Sequence, residues 1–90
     1  MNTYIFDKKT PPEINMLIAN RIRTIRKRRK ISQVRLSEKS GVSLGSVKRF
    51  ERHGEISLLS LTKIAFALEI SHELESLFED VPPMSIKELM

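Results

Sequence analysis

Apolar residues recur at helical spacing in five stretches of the chain, and polar or turn-forming residues separate them. In the first, Ile14, Leu17, Ile18, Ile22 and Ile25 make one stripe, which predicts a helix from about Pro11 to Lys30. Its start is marked by Thr10-Pro11-Pro12-Glu13: threonine can cap, proline suits the first turn, and the glutamate three residues after Thr10 completes a capping box. Leu36 anchors a second helix over about 33–40, and Val47 and Phe50 a third over about 44–52. Leu58, Leu61, Ile64, Ala65 and Leu68 predict a fourth over 58–68, capped by Ser57, with Leu59 and Phe66 off that line. Leu74, Leu77 and Phe78 predict a fifth over 72–79, capped by Ser71. Pro82 and Pro83 end this run, because proline cannot continue a helix.

The segment 32–52 has the most specific punctuation. Ser32 can cap one helix and Ser43 the next, and Gly41 between them suits a backbone with positive φ that turns the chain sharply. Two short helices so joined have the layout of a helix-turn-helix, whose second helix enters the DNA major groove. With Val47 and Phe50 pointing inward, Leu44, Gly45, Ser46, Lys48 and Arg49 face outward. Arg49 is the best candidate base reader, since a guanidinium can bind guanine O6 and N7 bidentately, and Leu44 can touch a thymine methyl. Gly45 costs up to about 1 kcal/mol of helix stability relative to alanine and permits close approach, so it and Ser46 join the base-reading set. Gln33, Ser43 and Lys48 are expected at phosphates, which position a domain without reading sequence.

Together these residues resemble the Xre/Cro family of bacterial and phage helix-turn-helix regulators. The resemblance runs through Phe50-Glu51-Arg52-His53-Gly54 and on into Ser57–Leu68, covering roughly residues 14–79. It implies an all-α, five-helix, lambda-repressor-like domain over 11–80, with an N-terminal extension 1–10 and a C-terminal tail 81–90. It also implies a homodimer formed around the last helix. Glu51 would be a buried acid paired within the domain, for example with an arginine of the first helix. Ser37 departs from the alanine usual in the family and must find a hydrogen-bond partner.

A narrower resemblance lies in Gly41–Arg52, Ile56-Ser57-Leu58 and Pro83–Leu89, which look like small HipB-like antitoxins encoded beside HipA-family kinase toxins. It implies a repressor that binds a HipA-like kinase toxin and autoregulates its operon. A stand-alone Xre-type regulator without a toxin, and a helix-turn-helix module that binds protein or RNA, stay open as alternatives.

Charge sharpens the picture. Residues 1–53 hold 14 Lys/Arg against 4 Asp/Glu, a net of +10, and residues 54–90 hold 2 against 7, a net of −5. The basic half contains the helix-turn-helix and would face phosphates. Seven cations crowd residues 21–30. Some complement the helix dipole, but their number exceeds that need, so Arg28 and Arg29 are expected to reach flanking phosphates. The acidic half would face solvent, a second subunit or another protein.

Ninety residues suit one small domain. With no cysteine and two histidines there is no disulfide framework and no zinc site. No metal or cofactor is implied. An enzyme is the weakest reading, because neither a glycine-rich phosphate loop nor an acid paired with a plausible base is present. The chain starts without an export signal and holds no membrane span, so a cytoplasmic, nucleoid-associated protein is expected. Tyr4-Ile5-Phe6 could form a short strand, pack on the domain or a partner, or belong to a free leader. Ser85–Met90 has an amphipathic pattern that could dock on a partner or on its own domain.

Overall fold

The computed structural model describes residues 8–84; the expectations for Tyr4–Phe6 and Ser85–Met90 lie outside the described residues. Five helices follow one another: α1 (Pro11–Arg28), α2 (Gln33–Ser40), α3 (Leu44–His53), α4 (Leu58–Ala67) and α5 (Ser71–Glu75). There is no strand among the described residues. α1 packs on α3, α2 on both α3 and α4, and α5 on α4. The fold is thus the expected all-α, five-helix arrangement.

Local chemistry explains most boundaries. Thr10 and Glu13 form the reciprocal capping box on α1, the Glu13 backbone N–H donating to Thr10 Oγ1 at 3.3 Å and the Thr10 N–H to Glu13 Oε1 at 2.8 Å. The hydroxyls of Ser32, Ser43 and Ser57 each accept a backbone N–H three residues on, capping α2, α3 and α4. Gly41 closes α2 at φ 77° and Gly54 closes α3 at φ 74°, both left-handed. Gly54 is also pressed against α1, where an added Cβ would lie 3.0 Å from the Asn15 carbonyl carbon.

α1 and α4 end without glycine. Each closes in a Schellman turn with a non-glycine residue in the left-handed region, Lys30 at φ 56° and Glu69 at φ 60°. The Ile31 N–H reaches the Arg26 carbonyl, and the Ile70 N–H the Ala65 carbonyl. The residue after each turn is a buried or half-buried isoleucine, whose packing holds the turn closed.

The core gathers Ala19 and Ile22 of α1, Leu36 of α2, Val42 of the turn, Val47 and Phe50 of α3, and Ile64, Ala65 and Leu68 of α4 with Ile70. Full burial of a side chain such as Phe50 or Leu36 contributes about 1.5–3 kcal/mol. Ser37 finds its partner: its hydroxyl donates to the Val42 carbonyl at 2.6 Å, across the turn.

Three expectations are corrected. The buried side of α1 runs through Ala19, Ile22 and Arg26, while Ile14 and Ile18 are exposed. The helix turns its Ala19–Ile22–Arg26 side to the core, and Ile14 and Ile18, four residues apart, lie to one side of it. Leu58 is 71% exposed, because the first residue of α4 precedes the turn that meets α2. α5 is shorter than 72–79 and its cap position is Ile70, not Ser71, with no side-chain cap bond. Phe78 at φ 66° cannot continue a right-handed helix, and residues 76–80 form turns.

Candidate nucleic-acid interface

α3 divides cleanly. Val47, Phe50 and Glu51 are buried, and Gly45, Ser46, Lys48, Arg49 and Arg52 are exposed. Leu44 is half-buried. The Ser43 hydroxyl, besides capping the helix, donates to the Ser46 hydroxyl at 2.9 Å, so the polar groups of the first turn are already ordered. An added Cβ on Gly45 would meet nothing within 4 Å. Intramolecular packing therefore gives no reason for glycine at this position.

Behind this face lies a buried ion pair that ties three helices together. Arg26 of α1 grips Glu51 of α3 with two bonds, Nε–H to Oε2 at 2.7 Å and Nη2–H to Oε1 at 2.9 Å. Its third group, Nη1–H, donates to the Ile31 carbonyl at 2.8 Å. Gln33, the first residue of α2, donates its amide to Glu51 Oε1 at 3.0 Å. The Arg26 and Glu51 side chains are 9% and 4% exposed. Burial pushes the Glu51 carboxyl up, but the bonds from Arg26 and Gln33, with the charges of Arg26 and Arg23, outweigh it and hold the group below its ordinary value. Because Arg26, Gln33 and Glu51 lie on different helices, the pair sets how α3 sits on α1 and α2. The acid that the resemblance placed in the interior is thus found there, with its arginine on the first helix.

In front of the pair α1 and α3 enclose an open concavity. Arg23 from α1, Gln33 from α2, and Lys48, Arg49 and Arg52 from α3 line it, together with Glu55 of the following loop. A shallower hollow continues from Ser46 and Arg49 past Glu55 to Ser57 and Ser60 at the start of α4. Four cations from two helices along one concave face suit an anionic backbone. The ordered N-terminus of α4 adds backbone N–H groups that favour anions.

Of the residues singled out from sequence, Gln33, Lys48 and Arg49 meet in the concavity, and Ser46 joins Arg49 in the shallower hollow. Ser43, Leu44 and Gly45 stand at the N-terminus of α3, outside both linings. Arg28 and Arg29 are exposed at the far end of α1, likewise outside them. Sequence reasoning passed over Arg52 and Glu55 and did not separate Arg23 from its basic neighbours. Arg52 was within reach of periodicity, since it follows Lys48 by four residues on one helix face. Nothing local marks Glu55, whose place depends on the turn at Gly54.

Residues 22–74 match the family model described as helix-turn-helix. The match covers more than half of the 90-residue chain, from the second half of α1 into α5. No curated protein and no solved structure matched the chain. No helix among the described residues is long and apolar enough to cross a membrane.

Proposed function

The chain belongs to the helix-turn-helix family, of the Xre/Cro type, and on that premise we propose that it is a sequence-specific transcriptional repressor that binds a palindromic operator as a homodimer. The family is one of DNA-binding regulators rather than enzymes. The observation that carries the reading is the outward face of α3, with Lys48, Arg49 and Arg52 exposed beside Arg23 and the helix held from behind by Arg26 and Glu51. Leu44, Gly45, Ser46 and Arg49 read bases in this account. Gln33, Ser43, Lys48, Arg28 and Arg29 hold phosphates, joined by Arg23 and Arg52. Gln33 has a second duty, since one amide N–H already orients Glu51 and the other stays for a phosphate. The open space around Gly45 is where the groove floor approaches most closely.

Residues 11–80 form the domain in this reading. Dimerisation places two copies of α3 about 34 Å apart, one helical turn of DNA. The exposed Leu59 and Phe66, seven residues apart on one face of α4, with Leu77 and Phe78, supply its contact. Arg49 is the residue to test. Arg49→Ala should cost about 1–3 kcal/mol on the operator and relax selectivity at one base pair. Equal weakening on every sequence would reduce Arg49 to a phosphate contact.

A narrower reading makes the protein an antitoxin that restrains a HipA-like kinase toxin and represses the operon encoding both. Its support is the likeness of Gly41–Arg52 and Pro83–Leu89 to HipB-like antitoxins. Capture of the tagged protein from its native cell separates the cases. Recovery of a kinase-fold protein with DNA of the protein's own promoter supports the antitoxin. DNA from scattered promoters with no such protein leaves a stand-alone regulator. A regulator of either kind works in the cytoplasm, at the nucleoid.

A further inference from the structure

Arg49 is not unpartnered on its exposed face. Its Nε–H donates to Glu55 Oε1 at 3.1 Å. Both side chains are largely exposed, and an exposed pair of this kind contributes about 0–1 kcal/mol to folding. Stability therefore gives little reason for an acid here. Its position suggests another. Glu55 borders both the concavity and the shallower hollow, and it is the one exposed carboxylate among the described residues lining them. Glu51, the other acid there, is buried and spent on Arg26. The loop carrying Glu55 is not loosely hung. Gly54, immediately before it, is seated against the backbone of α1 and its N–H donates to the Phe50 carbonyl at 2.8 Å.

We propose that Glu55 is a specificity-determining residue, which holds the Arg49 guanidinium by its Nε edge, presents the two terminal amino groups to a guanine, and keeps phosphates away from it. The proposal rests on the DNA-binding reading of α3. A guanidinium has two usable edges. A carboxylate on the Nε side fixes the plane of the group and leaves the terminal pair of donors, which match guanine O6 and N7. An unanchored arginine would instead find the nearest phosphate, since phosphate contact is strong and indifferent to sequence. A carboxylate beside Arg49 repels any phosphate that approaches it, so docking registers that carry Arg49 onto the backbone are penalised. Glu55 thereby lowers affinity for arbitrary DNA while sharpening the choice among sites.

The probes are the duplex enriched by the wild-type protein from a randomised library and a scrambled duplex of the same composition. Glu55→Gln keeps the size and removes the charge, and its melting temperature should match that of the wild type. Binding to the scrambled duplex should tighten, and the ratio of the two affinities should fall about tenfold, as expected when one bidentate contact loses its orientation. The salt dependence on the scrambled duplex should steepen by about 0.9 in log–log slope, the mark of one additional phosphate neutralised. In an Arg49→Lys background, where no fork remains to be oriented and only the repulsion of phosphates is left, Glu55→Gln should lower the ratio by clearly less than about tenfold. An unaltered ratio in the single variant, or the same drop in both backgrounds, would overturn the role of Glu55 while leaving the protein a DNA binder. Failure of the wild type to enrich any duplex would remove the DNA-binding reading itself, and this role with it.

Discussion

The pair α2–α3 and the pair α4–α5 are joined in one core, yet they are finished differently. In α2–α3 each helix begins on a serine cap and ends on a glycine in the left-handed region. Its largest apolar side chains, Leu36 and Phe50, are buried, and its one buried acid is fully partnered. In α4–α5 the turn between the helices is held by Glu69 rather than glycine, and α5 lacks a side-chain cap. Leu58, Leu59, Phe66, Leu77 and Phe78 are exposed, Phe66 by 67% and Phe78 by 78%. The contrast teaches that polar geometry and exposed apolar surface belong to separate parts of the fold. The reading face is fixed within one chain, by polar geometry behind α3. The α4–α5 end keeps apolar surface exposed among the described residues, which is where the proposed dimer contact falls.

The sharpest way to break the contrast is to remove the bolt behind α3. Glu51→Gln leaves Arg26 buried without its counter-charge, and the expected loss is about 3–5 kcal/mol in denaturant unfolding. Combining Arg26→Met with Glu51→Leu should restore most of that stability while weakening operator binding, because an apolar pair fills space but does not fix the helix angle. Recovery of both would show that the ion pair has no role in aiming α3. The same pair predicts an acid response. The folded carboxyl of Glu51 lies below its ordinary value of 4.5, so its contribution is present above about pH 4.5 and is lost as pH falls through the folded value. Stability measured across that range should fall more steeply in the wild type than in Glu51→Gln.

Gly54→Ala comes next in size. A left-handed alanine costs about 1–2 kcal/mol, and its Cβ would meet the Asn15 backbone as well, so the unfolding free energy measured in denaturant should drop by at least that amount. Gly41→Ala has the same backbone cost with open space around the Cβ, and the difference between the two isolates the contact with α1.

Phe66→Ser, on the α4–α5 side, should change monomer stability by no more than about 0.5 kcal/mol, as an exposed position allows. Sedimentation should nevertheless shift toward monomer. A variant that stays dimeric would move the dimer contact off α4.

Much of this molecule was legible along the chain, because its signals are local. Serine caps, the Thr10–Glu13 box and Gly41 act within three or four residues, and with the apolar period they specify five helices and which residues of α3 face outward. The Xre/Cro character of 32–52 was readable for the same reason. What is not local was legible only through the resemblance, as with the buried acid Glu51, or not at all. Periodicity on α1 promised burial to Ile14 and Ile18 and none to Arg26, but burial depends on which partners arrive, and α3 covers Ala19, Ile22 and Arg26 instead. Arg23, Arg52 and Glu55 came together only when α1 crossed α3 and Gly54 seated the loop against Asn15. By itself, then, the sequence determined the helices, the side-chain caps of α1 to α4 and the outward face of α3, since these follow from neighbours in the chain. Tertiary structure alone decided which arginine of α1 would meet Glu51, namely Arg26, 25 residues before it, and that Glu55 would stand beside Arg49. Those pairings depend on the angles at which whole helices pack, and no short stretch of residues encodes such an angle.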